Sequence, residues 1–154
     1  MMARQSAGIL MYRQRERLEV LLVHPGGPFW ARKDTGAWSI PKGEYAAGQD
    51  PLKAAQREFR EETGLAAEGP FAPLGSVKQP GGKTVTAWAL EGDCDPNGLT
   101  SNTFSMEWPP RSGKQQEFPE VDRAAWFDLE TAQSKIHQGQ IPLLEALQRI
   151  LAEQ

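Results

Sequence analysis

Residues 39–65 read SIPKGEYAAGQDPLKAAQREFREETGL, and three acids near the end of this stretch, Glu58, Glu61 and Glu62, decide how the chain is read. Asp50 followed by Pro51 is a helix start. An Asp side chain accepts from the free first-turn amides, and proline suits the first helical position because it has no amide to leave unpaired. Gly64 closes the segment, since glycine takes the left-handed backbone that ends helices, with Leu65 as its apolar follower. The spacing predicts a helix of about thirteen residues, and at about 100° per residue Leu52, Ala55, Phe59 and Thr63 form its buried stripe. Glu58 and Glu62, four apart, stack on the flank of that stripe, while Glu61 lies further round within reach of Arg57. Either these acids are solvated, as charge runs usually are, or a hard cation such as Mg²⁺ or Mn²⁺ sits among their oxygens.

Outward from this helix the chain alternates strand patterns with turns. Residues 6–13, SAGILMYR, and 18–24, LEVLLVH, flank the polar turn Gln14–Arg17 and read as a hairpin. Residues 25–44 carry too much Gly and Pro for a long element, so a loop is expected there, with a short strand near Trp38–Ile40. PLGSVKQ and KTVTAWALEG alternate as strands around the turn Pro80–Gly81–Gly82. Between Glu91 and Glu120 lies a long polar connection with Phe104, Met106 and Trp108 set in it; it reads as a folded-over flap with one short strand at Thr103–Trp108. Ala124–Leu129 is a further strand leading into the helical segment Glu130–Ile136. From Ile141 apolar residues at 143, 144, 147, 150 and 151 describe an amphipathic closing helix. No repeat or boundary divides residues 1–154, which read as one domain.

Composition narrows the function. The chain has 154 residues and a formal charge of −3, which gives no basic footprint for polymeric nucleic acid. Mild acidity is also ill suited to binding phosphates directly, unless a metal ion reverses the local field. The single cysteine, Cys94, excludes an internal disulfide, and its neighbours Asp93 and Asp95 disfavour a thiolate. No apolar run approaches the length of a membrane span and no N-terminal apolar region resembles an export signal, so a cytoplasmic location is the expectation.

The stretch from Gly43 to Leu65 resembles the Nudix box: glycine, five residues, glutamate, seven residues, then R-E-U-x-E-E-x-G-U, where U is a bulky apolar residue. Gly43, Arg57, Glu58, Phe59, Glu61, Glu62, Gly64 and Leu65 fall in register with it. The one departure is Gln49, which stands where the pattern has its first glutamate and puts the number of bound metals in question. WSIPKGE is also similar to the opening of the box in the diadenosine polyphosphate and diphosphoinositol hydrolase branch. The resemblance implies an α/β fold, a single-domain α/β/α sandwich with a mixed sheet, and the order of elements read above agrees with that.

The resemblance further implies Mg²⁺-dependent hydrolysis, with Mn²⁺ as substitute, of a diphosphate bond in a nucleoside diphosphate linked to another group. The Gly43 carbonyl, Glu58 and Glu62 would be metal ligands, Glu61 a third carboxylate, and Arg57 would orient the cluster. Members often take a further carboxylate from outside the box; Glu120 is favoured here, then Glu117, with Glu107 also considered. Lys42 could reach a phosphate, Trp30, Trp38, Phe104 or Trp108 could stack on a base, and Arg111 and Lys114 could contact distal phosphates. His24 and His137 read as structural. The expected partner is a nucleotide or another small diphosphate, with no membrane, and a homodimer is left open. A non-catalytic Nudix domain that binds a nucleotide or regulates a partner is the alternative. An isopentenyl-diphosphate isomerase is disfavoured because Cys94 is poorly placed.

Overall fold

The structure is a computed structural model and describes residues 4–154. The expected hairpin forms from β1 (Gln5–Gln14) and β2 (Leu18–Pro25), paired antiparallel only at its tip, from Tyr12↔Val20 to Gln14↔Leu18. Further down, β1 parts from β2 and pairs instead with β3 (Lys42–Glu44), Ala7 opposite Gly43. Gly8 permits this wedge, because a side chain there would stand 2.6 Å from the Pro41 carbonyl oxygen. On its other side β1 runs parallel to β5 (Thr84–Glu91), which pairs antiparallel with β4 (Ala72–Lys78). β8 (Val121–Asp128) completes the mixed sheet against β2, in the order β4-β5-β1-β2-β8 with β3 beside β1.

Helices cover both faces, as the alternation along β1 requires: Ile9 and Met11 point one way and Leu10 the other. The first face packs Ile9, Met11, Leu21 and Leu90 against Ala54, Ala55 and Phe59 of α1 (Pro51–Thr63). The second packs Leu10, Val20, Leu22 and Val85 against α2 (Leu129–Lys135) and α3 (Ile141–Ala152), through Ala132, Leu143, Leu144 and Leu147. Phe59 is wholly buried, so its loss to alanine would cost about 3–5 kcal/mol and loosen α1 from the sheet.

Besides β3, which forms in a stretch expected to be loop, two segments differ from expectation. Residues 38–40 form no strand; Ser39 bridges Val23 while Trp38 bridges Ile136, so the hydrogen bonds are divided between β2 and the end of α2. The flap holds a hairpin of its own, β6 (Thr103–Glu107) with β7 (Gln115–Pro119), Phe104 opposite Phe118, separate from the main sheet. No helix among the described residues is long and apolar enough to cross a membrane.

Candidate active site

The capping chemistry of α1 sets where its acids stand. The Asp50 carboxylate accepts from the Leu52 amide, Pro51 opens the first turn, and Gly64 ends the helix at φ 81° with its amide donating to the Arg60 carbonyl at 2.8 Å. With both ends fixed and Phe59 anchored in the core, Glu58 is carried against β3. A Cβ on Gly43 would lie 2.1 Å from the Glu58 carboxyl carbon, so only glycine leaves that carboxylate room beside the β3 backbone.

Glu58, Glu61 and Glu120 can each place a carboxylate oxygen within 4.8 Å of the other two. Glu120 reaches them from the residue before β8, where its carbonyl accepts from Gly26 and its amide donates to Asn102, joining the flap to the sheet edge. Arg57 is the cation that steadies the group: its guanidinium lies 3.3 Å from Glu58 and 3.9 Å from Glu61, and it also donates to the Glu44 carbonyl. One arginine does not offset the crowding. Burial, then the charge of Glu61, raises the Glu58 carboxyl above the usual range, and the same two causes raise Glu120.

Glu62 lies outside the convergent trio but near Glu58 and Glu120, and it lines a pocket of about 360 Å³ together with Lys42 and Glu120. Burial pushes the Glu62 carboxyl up to about 8, opposed by Lys42 and reinforced by Glu58 and Glu120. Burial likewise pushes Lys42 down to about 8, with the neighbouring Lys83 acting in the same direction. Val23, Trp30, Ala37 and Val121 give the pocket an apolar wall, and Ser39, Gln79, His137 and Gln140 a polar one.

Other candidates fall elsewhere. Trp38 is a core residue and not a stacking platform: it is 4% exposed, its ring packs edge-on to His24 and Phe127, and its indole donates to Asp34. Trp30, at the pocket wall and 40% exposed, is the tryptophan with a free surface there. Arg111 sits in the exposed β6–β7 turn at φ 61°, its amide donating to the Glu107 carboxylate, and neither residue lines the pocket. Glu117 is exposed on β7. Gln49 turns its side-chain oxygen back to the Ala46 amide at 2.8 Å, closing the loop before α1. His24 is buried between Asp122 and the Lys33 carbonyl. Cys94 has its thiol pushed up by burial and by Asp93, which makes it a poor nucleophile. Gln79 and Gln140 were not singled out from sequence, because neutral amides from separate elements leave no spacing to read.

The curated relatives match over short segments. RNA pyrophosphohydrolase of Xanthomonas campestris pv. campestris is 42% identical over 50 residues, 32% of this chain and 24% of that protein. The enzyme of the same name from Francisella philomiragia is 45% identical over 47 residues, 30% of each chain. The aligned segment thus spans about a quarter to a third of those relatives' length. Among solved structures, a Caenorhabditis elegans Ap4A hydrolase binary complex superposes with a TM-score of 0.68 at 23% identity, covering 97% of this chain and 99% of that one. The NUDIX domain of Shewanella oneidensis NrtR, complexed with ADP ribose, gives 0.67 at 14% identity over 98% and 90%. At such identities these two speak for the fold. The family model described as NUDIX domain matches residues 2–147, nearly the whole chain, and on that match the protein belongs to the Nudix family.

Proposed function

We propose that this protein is a divalent-metal-dependent pyrophosphohydrolase that cleaves a diphosphate bond in a nucleoside diphosphate linked to another group, such as a nucleoside triphosphate or a dinucleoside polyphosphate. The observation that carries the reading is the meeting of Glu58, Glu61 and Glu120 beside a glycine that leaves no room for a side chain. The donor set fits Mg²⁺ or Mn²⁺, since it offers only hard oxygens and carries more negative charge than Arg57 balances. Glu58, Glu61, Glu120 and the Gly43 carbonyl would hold the ion, which when bound supplies Lewis acidity toward the phosphate oxygens and lowers the pKa of water.

The rest falls to the chain's own groups. Arg57 fixes the rotamers of Glu58 and Glu61 so that their oxygens converge. Glu62, beside Glu58 and facing the pocket, is placed either to join the ligands, as its position in the box implies, or to take a proton from the attacking water at its carboxylate. Lys42, at the entrance to β3, meets phosphate charge inside the pocket. Small nucleotides, not polymeric nucleic acid, are the partners suited to a hollow of about 360 Å³, and the proposed setting is cytoplasmic.

The test is a panel of nucleoside triphosphates, dinucleoside polyphosphates and ADP-ribose, incubated with the protein and Mg²⁺ and assayed for phosphate and pyrophosphate. Turnover that disappears with EDTA and returns with Mg²⁺ supports the reading. No turnover of any diphosphate at any metal concentration transfers support to a nucleotide-binding module, the reading that Gln49 in the box favours.

A further inference from the structure

We propose that the part of the pocket beyond Lys42 is a phosphate-chain subsite, where Gln79 and His137 present neutral hydrogen-bond donors set by backbone amides and so favour substrates with a run of phosphates over diphosphates flanked by two sugars. This rests on the reading of the acid cluster as a phosphoanhydride-cleaving centre and adds which substrates it serves.

The orientation of each donor follows from a backbone N–H, a group that can only donate. The Ile40 amide reaches Gln140 at 3.1 Å, so the atom it meets is the side-chain oxygen and the other is the NH₂. Gln140 is buried, and its NH₂ donates to Ser39 Oγ at 3.0 Å and to Gln79 at 3.2 Å. The Gln79 atom receiving that proton must be Oε1, which leaves Gln79 Nε2 as a donor. Gln79 is held in place from the other side: a Cβ on Gly139 would lie 2.9 Å from its Cγ.

His137 is set the same way. The Gly139 amide donates to its Nδ1 at 3.0 Å, so the ring proton sits on Nε2. Burial, with Lys42 and Lys83 nearby, holds the ring toward its neutral form. Both side chains line the pocket shared with Lys42, Glu62 and Glu120, and among the described residues neither Gln79 Nε2 nor His137 Nε2 has an acceptor within the chain.

That end of the pocket therefore offers donors from Lys42, Gln79 and His137, with Lys83 adjoining. Phosphate oxygens are the matching partner, being acceptors that also carry charge. The acceptor edge of a guanine would satisfy the amide and the imidazole but bring no negative charge to Lys83 or to Lys42, whose nearby acids are Glu62 and Glu44. Neutral donors also suit a place beside those lysines, because they add hydrogen bonds without further like-charge repulsion.

The experiment titrates inorganic tripolyphosphate, with Mg²⁺ in excess, into the full chain by calorimetry. Alongside it, KM and kcat are measured for ATP, diadenosine tetraphosphate and ADP-ribose. In Gln79→Glu the new carboxylate still accepts from Gln140 but turns an anion toward the subsite. Tripolyphosphate affinity is expected to fall about 10- to 100-fold, with KM for the polyphosphate substrates rising in step. ADP-ribose is expected to change less than about threefold, under half of the tenfold step on a free-energy scale. His137→Asn retains an oxygen for the Gly139 amide but shortens the donor's reach, and about a tenfold loss is expected with an unchanged Tm. Unaltered tripolyphosphate affinity in either variant, or equal losses for ADP-ribose, overturns the subsite. A wild-type protein that binds tripolyphosphate with this pattern of losses yet hydrolyses nothing removes the hydrolase reading and leaves the subsite standing. One that hydrolyses nucleotides while Gln79→Glu binds tripolyphosphate normally does the reverse.

Discussion

Replacing Gly43 by alanine perturbs the site through a single methyl group. The added Cβ would lie 2.1 Å from the Glu58 carboxyl carbon, whereas ordinary contact begins near 3.4 Å, so the carboxylate must retreat by about 1.3 Å. Gly43 sits in a strand without a positive φ, so the backbone accepts alanine and the nearest clash falls on Glu58. Glu58 is a flexible side chain, and overpacking of this sort costs about 1–3 kcal/mol. For a domain of this size, at about 2–4 °C per kcal/mol, that is a fall in Tm of about 2–12 °C. The site is far less forgiving, because a misplacement of about 1 Å in a catalytic constellation can cost about 100-fold in rate. The expected result is a folded protein with kcat/KM reduced at least about 100-fold and weakened Mn²⁺ binding, read by steady-state kinetics, thermal unfolding and metal titration. A variant with near wild-type turnover would falsify the claim that the Glu58 carboxylate works from against the Gly43 backbone.

Glu62→Gln should lower turnover by about two or more orders of magnitude with the circular dichroism spectrum unchanged, and near wild-type rates would remove Glu62 from the chemistry. His24→Leu withdraws the donor to the Lys33 carbonyl and the partner of Asp122, so unfolding in urea should shift by about 1–3 kcal/mol; an unmoved midpoint would show that the loop does not depend on it. The His137 ring binds its proton less readily when folded than when unfolded. The stability it contributes is therefore complete above the usual value of 6.5 and lost as pH falls through that range. Asp128, lowered by its cap bonds to Thr131, contributes stability that is lost only as pH falls through and below the usual 3.8. Thermal melts across pH should show the first step vanish in His137→Asn and the second persist. Gln49→Glu keeps an acceptor for the Ala46 amide, so stability should stay within about 0.5 kcal/mol and Mn²⁺ stoichiometry should not rise; a second bound ion would show that this position can turn toward the cluster.

What could be read from sequence was what repeats or is punctuated. Asp50-Pro51 and Gly64 bounded α1 to the residue, whereas a sheet covered on both faces was implied only by the resemblance to the Nudix box. The β1–β2 turn was legible because four polar residues separate two apolar runs. β3 was not, since three residues of PKGE carry no period and owe their pairing to a β1 that has parted from β2. β7 was hidden for a related reason: QQEFP is polar on both sides and pairs only with β6. Trp38 misled because a tryptophan in the Gly- and Pro-rich stretch before α1 looks available until His24 and Phe127 are seen to enclose it. That Glu62 lines a pocket shared with Lys42 was also hidden, because helical spacing fixes the face of a side chain but not what the opposite wall presents.

That opposite wall explains how so many acids are tolerated on one turn. Glu58, Glu61, Glu62 and Glu120 carry four formal negative charges, and Arg57 and Lys42 two positive ones, so four against two leaves −2. The two cations do not serve the same acids. Arg57 lies on the exposed side against Glu58 and Glu61, whereas Lys42 faces Glu62 from within the pocket. The residual charge accordingly gathers where Glu58, Glu61 and Glu120 converge, and a single divalent ion is the smallest addition that cancels it. On the proposed function, a phosphate chain entering afterwards would bring new negative charge and meet Lys42 and the adjoining Lys83 alongside Glu62 and Glu120. On that function, an acidic protein would hold an anionic substrate by setting Lys42 and Lys83 beside its acids in one cleft, with the ion where Glu58, Glu61 and Glu120 converge.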